Sequence, residues 1–362
     1  MKRYEMIVVG AGPAGLSAAI EAAKLGMDVA VFDENARPGG QLFKQIHKFF
    51  GSKEHHAKER GFRIGEDLLE EARQAGVKVF LNAVVMGIYE EKEVLVREDD
   101  EVIHYKGDNI IIATGAAENM IPFKGWDKPG VIGAGAAQAL MNLQGVMPGK
   151  RVLMVGSGNV GLVVSFQLLQ AGCEVAAVVD AAPRVGGYGV HAAKVARTGV
   201  PFLTRHTVVE ALGTDRVEGA VVAEVDDCFQ PIPGTEQTFD VDTICIAVGL
   251  SPMSQLADNA GCDMKFIPRK GGNVPVVDEF GETSIKGIYC AGDVAGIEEA
   301  SSAMLLGRIS GAHAARECGY LDAAEFDKRV AAYHASLGQL REGMFAPKNK
   351  GRTDWATTDE GY

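Results

Sequence analysis

Apolar and polar positions fall into two matching blocks along this chain, each a short unbroken apolar run that ends in glycines and enters a stretch of small residues. The first run, Met6, Ile7, Val8 and Val9, reads as a strand buried on both faces. It delivers Gly10, Gly12, Pro13, Ala14 and Gly15 into a helix. A second strand, Val29 to Phe32, ends at Asp33 and Glu34. The pattern then returns: Val152 to Val155 runs into Gly156, Gly158, Asn159, Val160 and Gly161, and a strand from Glu174 to Val179 ends at Asp180. Asn109 to Gly115 is a further strand that closes in a small-residue turn at Thr114 and Gly115, and Phe239 to Pro252 is another of the same kind. Ile285 to Asp293 repeats it, ending at Gly292 and Asp293, and residues 294–316 read as a helix. From Asp322 onward Phe326, Val330, Tyr333, Leu337 and Leu340 recur at spacings of four, three, four and three, the stripe of an amphipathic helix.

The two glycine turns have the parts that dinucleotide binding requires. Glycines permit the tight turn, let backbone approach a pyrophosphate and seat the helix on the strand, and the helix N-terminus attracts the phosphate charge. Asp33 stands twenty-three positions beyond Gly10 and Asp180 twenty-four beyond Gly156, where a carboxylate can meet ribose hydroxyls. One such motif also serves ordinary helix packing. Two, each with strand before, helix after and an acid in register, point to two nucleotide sites, and a protein with two dinucleotides is usually built to pass electrons between them.

Bulk properties narrow the surroundings. The chain has 362 residues, room for two domains, and its 47% apolar and 23% charged content is that of a soluble globular protein. With 36 basic and 48 acidic side chains the net charge is −12, which argues against nucleic acid and anionic membranes as partners. No apolar run approaches the roughly 20 residues that span a bilayer, and Lys2 and Arg3 lead straight into a strand rather than a signal peptide. A cytoplasmic location is expected. The six cysteines, at 173, 228, 245, 262, 290 and 318, are dispersed without C-x-x-C or metal-ligand spacing. They read as buried free thiols, with no metal site and no redox disulfide.

Taken together, GAGPAG, RPGGQL at 37–42, ATG at 113–115, GSGNVG and AGD at 291–293 resemble, in the correct order, the two-dinucleotide-binding-domain flavoproteins of the thioredoxin-reductase type. The likeness runs from the start to about Gly319. It implies an α/β fold of two Rossmann-like three-layer domains, the second inserted into the first. Residues 1–117 and 253–320 would form an FAD domain, residues 118–252 an NAD or adenine-nucleotide domain, and residues 321–362 a C-terminal helix and tail for packing or partner docking. FAD would lie on the first turn, with Gly40 and Gln41 near it, Asp33 on the adenosine ribose and Asp293 on the flavin side. The N-terminus of the late helix, around Glu299 to Ser302, would face the flavin ring.

A narrower resemblance lies in PGVIGAGAAQALMNLQGVMPGKRVLMVGSGNVGLVVSFQLLQAG and PRVGGYGVHAAKVARTGVP. These are similar to the nucleotide-binding subunits of multi-subunit, dye-linked dehydrogenases: the opine, proline and hydroxyproline dehydrogenases and hydrogen cyanide synthase. Three departures bear on function. The cysteine pairs of the disulfide reductases are replaced by GVIGAGAAQ and GGQLFKQIHKFF; Val163 stands where many relatives place a glutamate against nicotinamide; and the cysteine-rich iron-sulfur module of some group members is not found before Tyr362. The expected partners are a substrate-oxidising flavoprotein subunit together with a separate iron-sulfur subunit. At the second site Asp180 favours NAD(H) over its 2′-phosphorylated form despite Arg184, and ADP or ATP is the alternative.

No catalytic side chain stands out. Lys44, Lys48, Lys53, Lys58, Arg60 and Arg63, with His47, His55 and His56, make a basic segment that could approach the flavin with Gln41, dock an acidic partner or simply be solvated. His191 reads as a surface or satisfied histidine beside the second nucleotide, and His313 as packing. Met344, Phe345 and Trp355 are possible docking anchors. Three functions remain at this stage: an electron-relaying FAD subunit of an amino- or imino-acid dehydrogenase complex, an autonomous NADH-dependent flavin reductase of a small redox protein, and a non-catalytic nucleotide-binding scaffold.

Overall fold

A computed structural model describes residues 1–49 and 52–342; Met344, Phe345 and Trp355 lie outside them. The chain begins with β1 (Lys2–Val9), α1 (Pro13–Lys24), β2 (Val29–Phe32), α2 (Gly61–Gln74), β3 (Lys78–Phe80), β4 (Ala83–Ile88), β5 (Glu93–Glu98), β6 (Glu101–Ile112) and β7 (Ala116–Glu118). It continues with β8 (Val131–Gly133), α3 (Ala134–Gln144), β9 (Arg151–Val155), α4 (Asn159–Gln170), β10 (Glu174–Asp180), α5 (Gly189–Ala196), β11 (Phe202–Thr204), β12 (His206–Leu212), β13 (Gly219–Glu224), β14 (Gln237–Phe239) and β15 (Thr243–Ile246). The last stretch holds β16 (Leu250–Pro252), α6 (Gln255–Asn259), β17 (Met264–Ile267), β18 (Gly272–Pro275), β19 (Ile288–Cys290), α7 (Ala300–Glu317) and α8 (Ala323–Arg341).

These elements divide into two compact units, residues 1–117 with those from Ser251 on, and Glu118–Leu250. The chain leaves the first unit at β7 and re-enters it at β16, and those two strands pair with each other.

In the first unit the sheet runs β3-β2-β1-β6-β5-β4, with β19 also on β6. Pairings among β1, β2, β3, β6 and β19 are parallel, while β4, β5 and β6 form an antiparallel meander. The unbroken apolar runs follow from burial of both faces. Met6 and Val8 join a core with α1 and α7, whereas Ile7 and Val9 join one with β4, β5 and α6. Helices α1 and α7 approach closely because Gly307 and Gly311 have no side chain; a Cβ there would come 2.1 Å from the Ala14 carbonyl oxygen and 2.5 Å from that of Ala18.

The second unit has the parallel sheet β11-β10-β9-β15-β8 and the separate antiparallel sheet β12-β13-β14. Its main sheet again buries alternate residues on two sides. Val152 and Met154 pack with α3 and α4, and Leu153 and Val155 pack with β12 and β13. Both units are therefore Rossmann-like and three-layered.

Several boundaries differ from the sequence reading: β1 begins at Lys2 rather than Met6, and β19 spans only Ile288–Cys290. The strand ending at 112 starts at Glu101, because its first half belongs to the meander. The late helix begins at Ala300 rather than 294, since Asp293–Ala295 makes a 3-10 turn and Gly296 takes a φ of +142° that a helix cannot accommodate. Helix α8 starts as its pattern implies, with the Asp322 carboxylate accepting from the Glu325 N–H (2.9 Å), and packs Phe326 and Val330 on α7 through Ile309 and Ala312.

Candidate functional site

At the carboxyl end of β1, Gly10 turns the chain with φ +102°. A Cβ on Gly10 would meet the Ala113 carbonyl oxygen at 2.4 Å, and one on Gly15 would meet the Gly10 carbonyl oxygen at 1.9 Å. Protein packing therefore demands these two glycines. Gly12 is different: a Cβ there would meet nothing within 4 Å. It caps α1, whose first residue is Pro13, so the missing proline N–H removes no helix bond. An unfilled space at a helix N-terminus is what a pyrophosphate needs.

The surrounding segments converge on this turn. Gly39 donates its N–H to the Ala11 carbonyl (2.6 Å), and a Cβ on Gly40 would come 2.9 Å from the Gly12 Cα. Gly292 packs against Ala14. Thr114 donates its hydroxyl to the Met253 carbonyl (2.6 Å), and Met253 returns an N–H to Gly115 (2.9 Å). Asp293 accepts from the Glu298 N–H through Oδ1 (3.2 Å). Glu34 and Gln41 are exposed at the rim.

Asp33 has a task that sequence spacing did not reveal. Only 6% exposed, it accepts the Ala11 N–H on Oδ2 (2.6 Å) and the Asn35 N–H (2.8 Å) and side-chain amide (2.9 Å) on Oδ1. It braces the glycine turn from behind, whatever else it contacts.

The second turn copies the first. Gly156 has φ +110°, and added Cβ atoms would meet the Ala247 carbonyl oxygen at 2.2 Å from Gly156 and the Gly156 carbonyl oxygen at 2.0 Å from Gly161; at Gly158 nothing lies within 4 Å. Asp180 accepts the Ser157 N–H (2.7 Å), the Ser157 hydroxyl and the Ala182 N–H (2.8 Å). A loop that folds back on the turn was missed from the sequence. Gly187 donates to the Ser157 carbonyl (2.8 Å), Gly186 to the Ser157 hydroxyl (3.0 Å) and Tyr188 to Asn159 Oδ1 (2.8 Å). Its signal was legible, because RVGG at 184–187 repeats RPGG at 37–40. Val160 is exposed, while Val163 is buried at 8%.

The remaining candidates separate cleanly. His313 stacks on Phe280 (4.5 Å, 7°) and meets the Tyr289 hydroxyl at 3.1 Å, a packing role, and burial lowers its pKa. His191 is buried and stacks with Tyr188 (6.3 Å, 18°); burial and then Lys194 lower its pKa. In the basic segment Arg63 pairs with Glu66, His56 with Glu59, and Arg60 with the Ile46 carbonyl, while His55 is buried. Lys48, Lys53 and Lys58 are exposed. Cys173, Cys245, Cys262 and Cys290 are buried, and burial pushes each thiol up; Cys228 and Cys318 are exposed. Among the described residues no cluster of His, Cys, Asp and Glu could hold a metal ion, and no helix is long and apolar enough to cross a membrane.

The sequence profile of the pyridine nucleotide-disulphide oxidoreductases matches residues 4–319. The chain belongs to this family. Membership makes it an FAD-dependent oxidoreductase and implies FAD and a pyridine nucleotide as cofactors. Within the family it is 28% identical to an opine oxidase subunit of Rhizobium meliloti over 365 residues, covering 94% of this chain and 68% of that protein. It is also 28% identical to the hydrogen cyanide synthase subunit HcnB of Pseudomonas aeruginosa, over 84% of this chain and 69% of that one. It is thus related to subunits of multi-subunit flavoprotein oxidoreductases. In fold it is similar to T. acidophilum thioredoxin reductase (TM-score 0.72, 22% identity, 88% of this chain and 99% of that one). L-proline dehydrogenase from P. horikoshii is a second neighbour (TM-score 0.68, 22% identity, 91% and 59%).

Proposed function

We propose that this chain is the FAD-bearing subunit of an amino- or imino-acid dehydrogenase complex, relaying electrons between its flavin and an iron-sulfur or second flavoprotein partner. The observation that carries this reading is the first glycine turn: its middle position is clear of protein atoms, and every other flavin-associated segment of the unit converges on it. The names of the relatives, subunits of opine oxidase and hydrogen cyanide synthase, support the assembly.

Bound FAD would supply the electron sink, and the protein supplies position and electrostatics. Gly12 and the N-terminus of α1 would take the pyrophosphate, Asp33 and Glu34 the adenosine ribose, Gly40, Gln41, Thr114 and Gly115 the middle of the cofactor, and Gly292 and Asp293 its flavin side. The packing-demanded glycines keep the turn open, and the buried Asp33 keeps it rigid.

At the second site Gly156, Gly158, Asn159, Val160 and Gly161 would hold a second pyrophosphate, with Asp180 on the ribose. Asp180 favours NAD(H) over a 2′-phosphorylated nucleotide. A second reading, ADP or ATP bound without hydride transfer, is favoured by the buried apolar Val163 where a nicotinamide contact would stand.

Anaerobic mixing of the yellow protein with NADH in a stopped-flow spectrometer tests the pair. Bleaching of the flavin is expected if the second site works in electron transfer. A flavin that stays oxidised while ADP or ATP binds tightly in calorimetry selects the second reading. Purification from the native host should bring iron-sulfur and flavoprotein partners with the chain; a monomer without them overturns the complex.

A further inference from the structure

Helix α8 touches three other segments of the first unit. Its middle is anchored to α1 by Glu21, a carboxylate 2% exposed that accepts from Arg329 (2.9 Å) and from the Tyr333 hydroxyl (2.8 Å). Its last turns touch the segment that carries Asp293. Arg341 grips the Glu298 carboxylate through Nη2 (2.6 Å) and Nε (3.3 Å), both side chains only about a tenth exposed at 10% and 11%. The Glu298 N–H in turn donates to Asp293 Oδ1 (3.2 Å). A second arm runs through His55, whose Nε2 meets the Ser336 hydroxyl (2.9 Å) and carbonyl (3.1 Å) and whose own carbonyl accepts from Ser301 in the first turn of α7 (3.4 Å).

The segment between these arms has room to move. Behind Gly292 lies a cavity of about 20 Å³ lined by Lys270, Cys290, Gly292, Glu298, Ser310 and Arg341. That is space for one water molecule. On the same side the Lys270 methylenes lie against Gly296, and the Lys270 carbonyl accepts from the Ile297 N–H (3.0 Å). Residues 293–298 thus lie against the Arg341 fork and Lys270, both of which line the same void. Loss of the fork would leave Glu298 nearly buried without its guanidinium, and the turn could follow it into the cavity.

We infer that Arg341, through Glu298, and Ser336, through His55, are positioning residues that set Asp293 and the start of α7 against the flavin. The inference rests on the assignment of FAD to the first site. A fork that binds both carboxylate oxygens fixes orientation as well as charge, which a lysine cannot reproduce.

FAD is titrated into the flavin-stripped full chain and followed by quenching of its fluorescence; the saturated protein then gives its visible spectrum and its reduction potential. Arg341→Met should weaken FAD binding at least tenfold and shift both the spectrum and the potential. Arg341→Lys should recover part of the affinity but not the wild-type spectrum, and Ser336→Ala should move all three in the same direction by less. Should Arg341→Met fail to fold, the other two variants report the same quantities. Wild-type affinity, spectrum and potential in the variants that fold would overturn the inference. So would a lowered melting temperature of the FAD-free protein with unchanged flavin properties, since that marks a purely structural helix. A wild-type chain that takes up no FAD instead defeats the cofactor assignment itself.

Discussion

The two glycine turns of this molecule share a skeleton and differ in what lies against it. In each, the outer glycines are demanded by carbonyl oxygens at 1.9 to 2.4 Å from an added Cβ, and the middle glycine is opposed by nothing within 4 Å. In each, a strand-end aspartate accepts an N–H from the residue between the first two glycines. The first turn, however, is flanked by the Ala113–Gly115, Gly39–Gln41 and Gly292–Asp293 segments, with Ala11 at its centre. The second has Ser157 there, whose hydroxyl is already spent on Asp180 and on the N–H of Gly186. Keeping the turn therefore keeps an open place at a helix N-terminus, while the flanking segments decide what surrounds it.

The comparison breaks most severely at the outer glycines. Gly15→Ala and Gly161→Ala should each cost at least about 4 kcal/mol, because a backbone oxygen cannot step aside as a flexible side chain can. Denaturant melts should show the loss, and limited proteolysis should place it in the unit that carries the change. Next come the aspartates. Asp33→Ala strips the buried Ala11 N–H and the part-buried Asn35 N–H of their acceptor and should cost about 2–3 kcal/mol, against about 1–2 for the half-buried Asp180→Ala; equal losses would remove the distinction between a buried and a half-buried brace. The middle glycines sharpen the contrast. Gly12→Ala and Gly158→Ala should leave the ligand-free melt within about 1 kcal/mol of wild type, as helix-cap changes do. Gly12→Ala should nevertheless lose FAD at least tenfold, about 1.4 kcal/mol, and Gly158→Ala should lose only the second nucleotide, by calorimetry.

The smallest effect is one of pH. Burial lowers the pKa of His313 in the first unit and of His191 in the second below the ordinary 6.5. The unfolded chain therefore binds more protons than the folded one just below pH 6.5, and stability rises with pH there. Each histidine's contribution is complete above 6.5 and is lost as pH falls toward its lowered folded value. His313→Phe keeps the stacked ring but takes a partner from the buried Tyr289 hydroxyl, so the neutral plateau should fall by about 1–3 kcal/mol while the acid limb flattens; an unchanged acid limb counts against this account.

The main sheets were legible because burial on both faces writes an unbroken apolar run, as in Met6–Val9 and Val152–Val155. The glycine turns and α8 were legible for similar local reasons, down to the Asp322 cap. The meanders were not, since β4, β12 and β13 depart from the two-residue alternation of a half-buried strand. Nor was the bracing role of Asp33, which depends on a backbone N–H twenty-two residues away. The grip of Arg341 on Glu298 was equally out of reach, because it spans forty-three residues and no local pattern marks it.

The strand order also sets a timetable for synthesis. Strand β6 is complete at Ile112, but its partner β19 is not made until residues 288–290, after the whole of Glu118–Leu250 has been translated. The inserted unit has its two ends side by side, at Asn119 and Gly249 (3.0 Å), and needs nothing from beyond Leu250 to close its own sheets. As the ribosome releases the chain from its N-terminus, the guest can finish before its host. The C-terminal end of β6 stays an open sheet edge until β19 arrives, with Gly292 and Asp293 directly behind it, so on the proposed cofactor assignment flavin capture would have to wait for the last third of the chain.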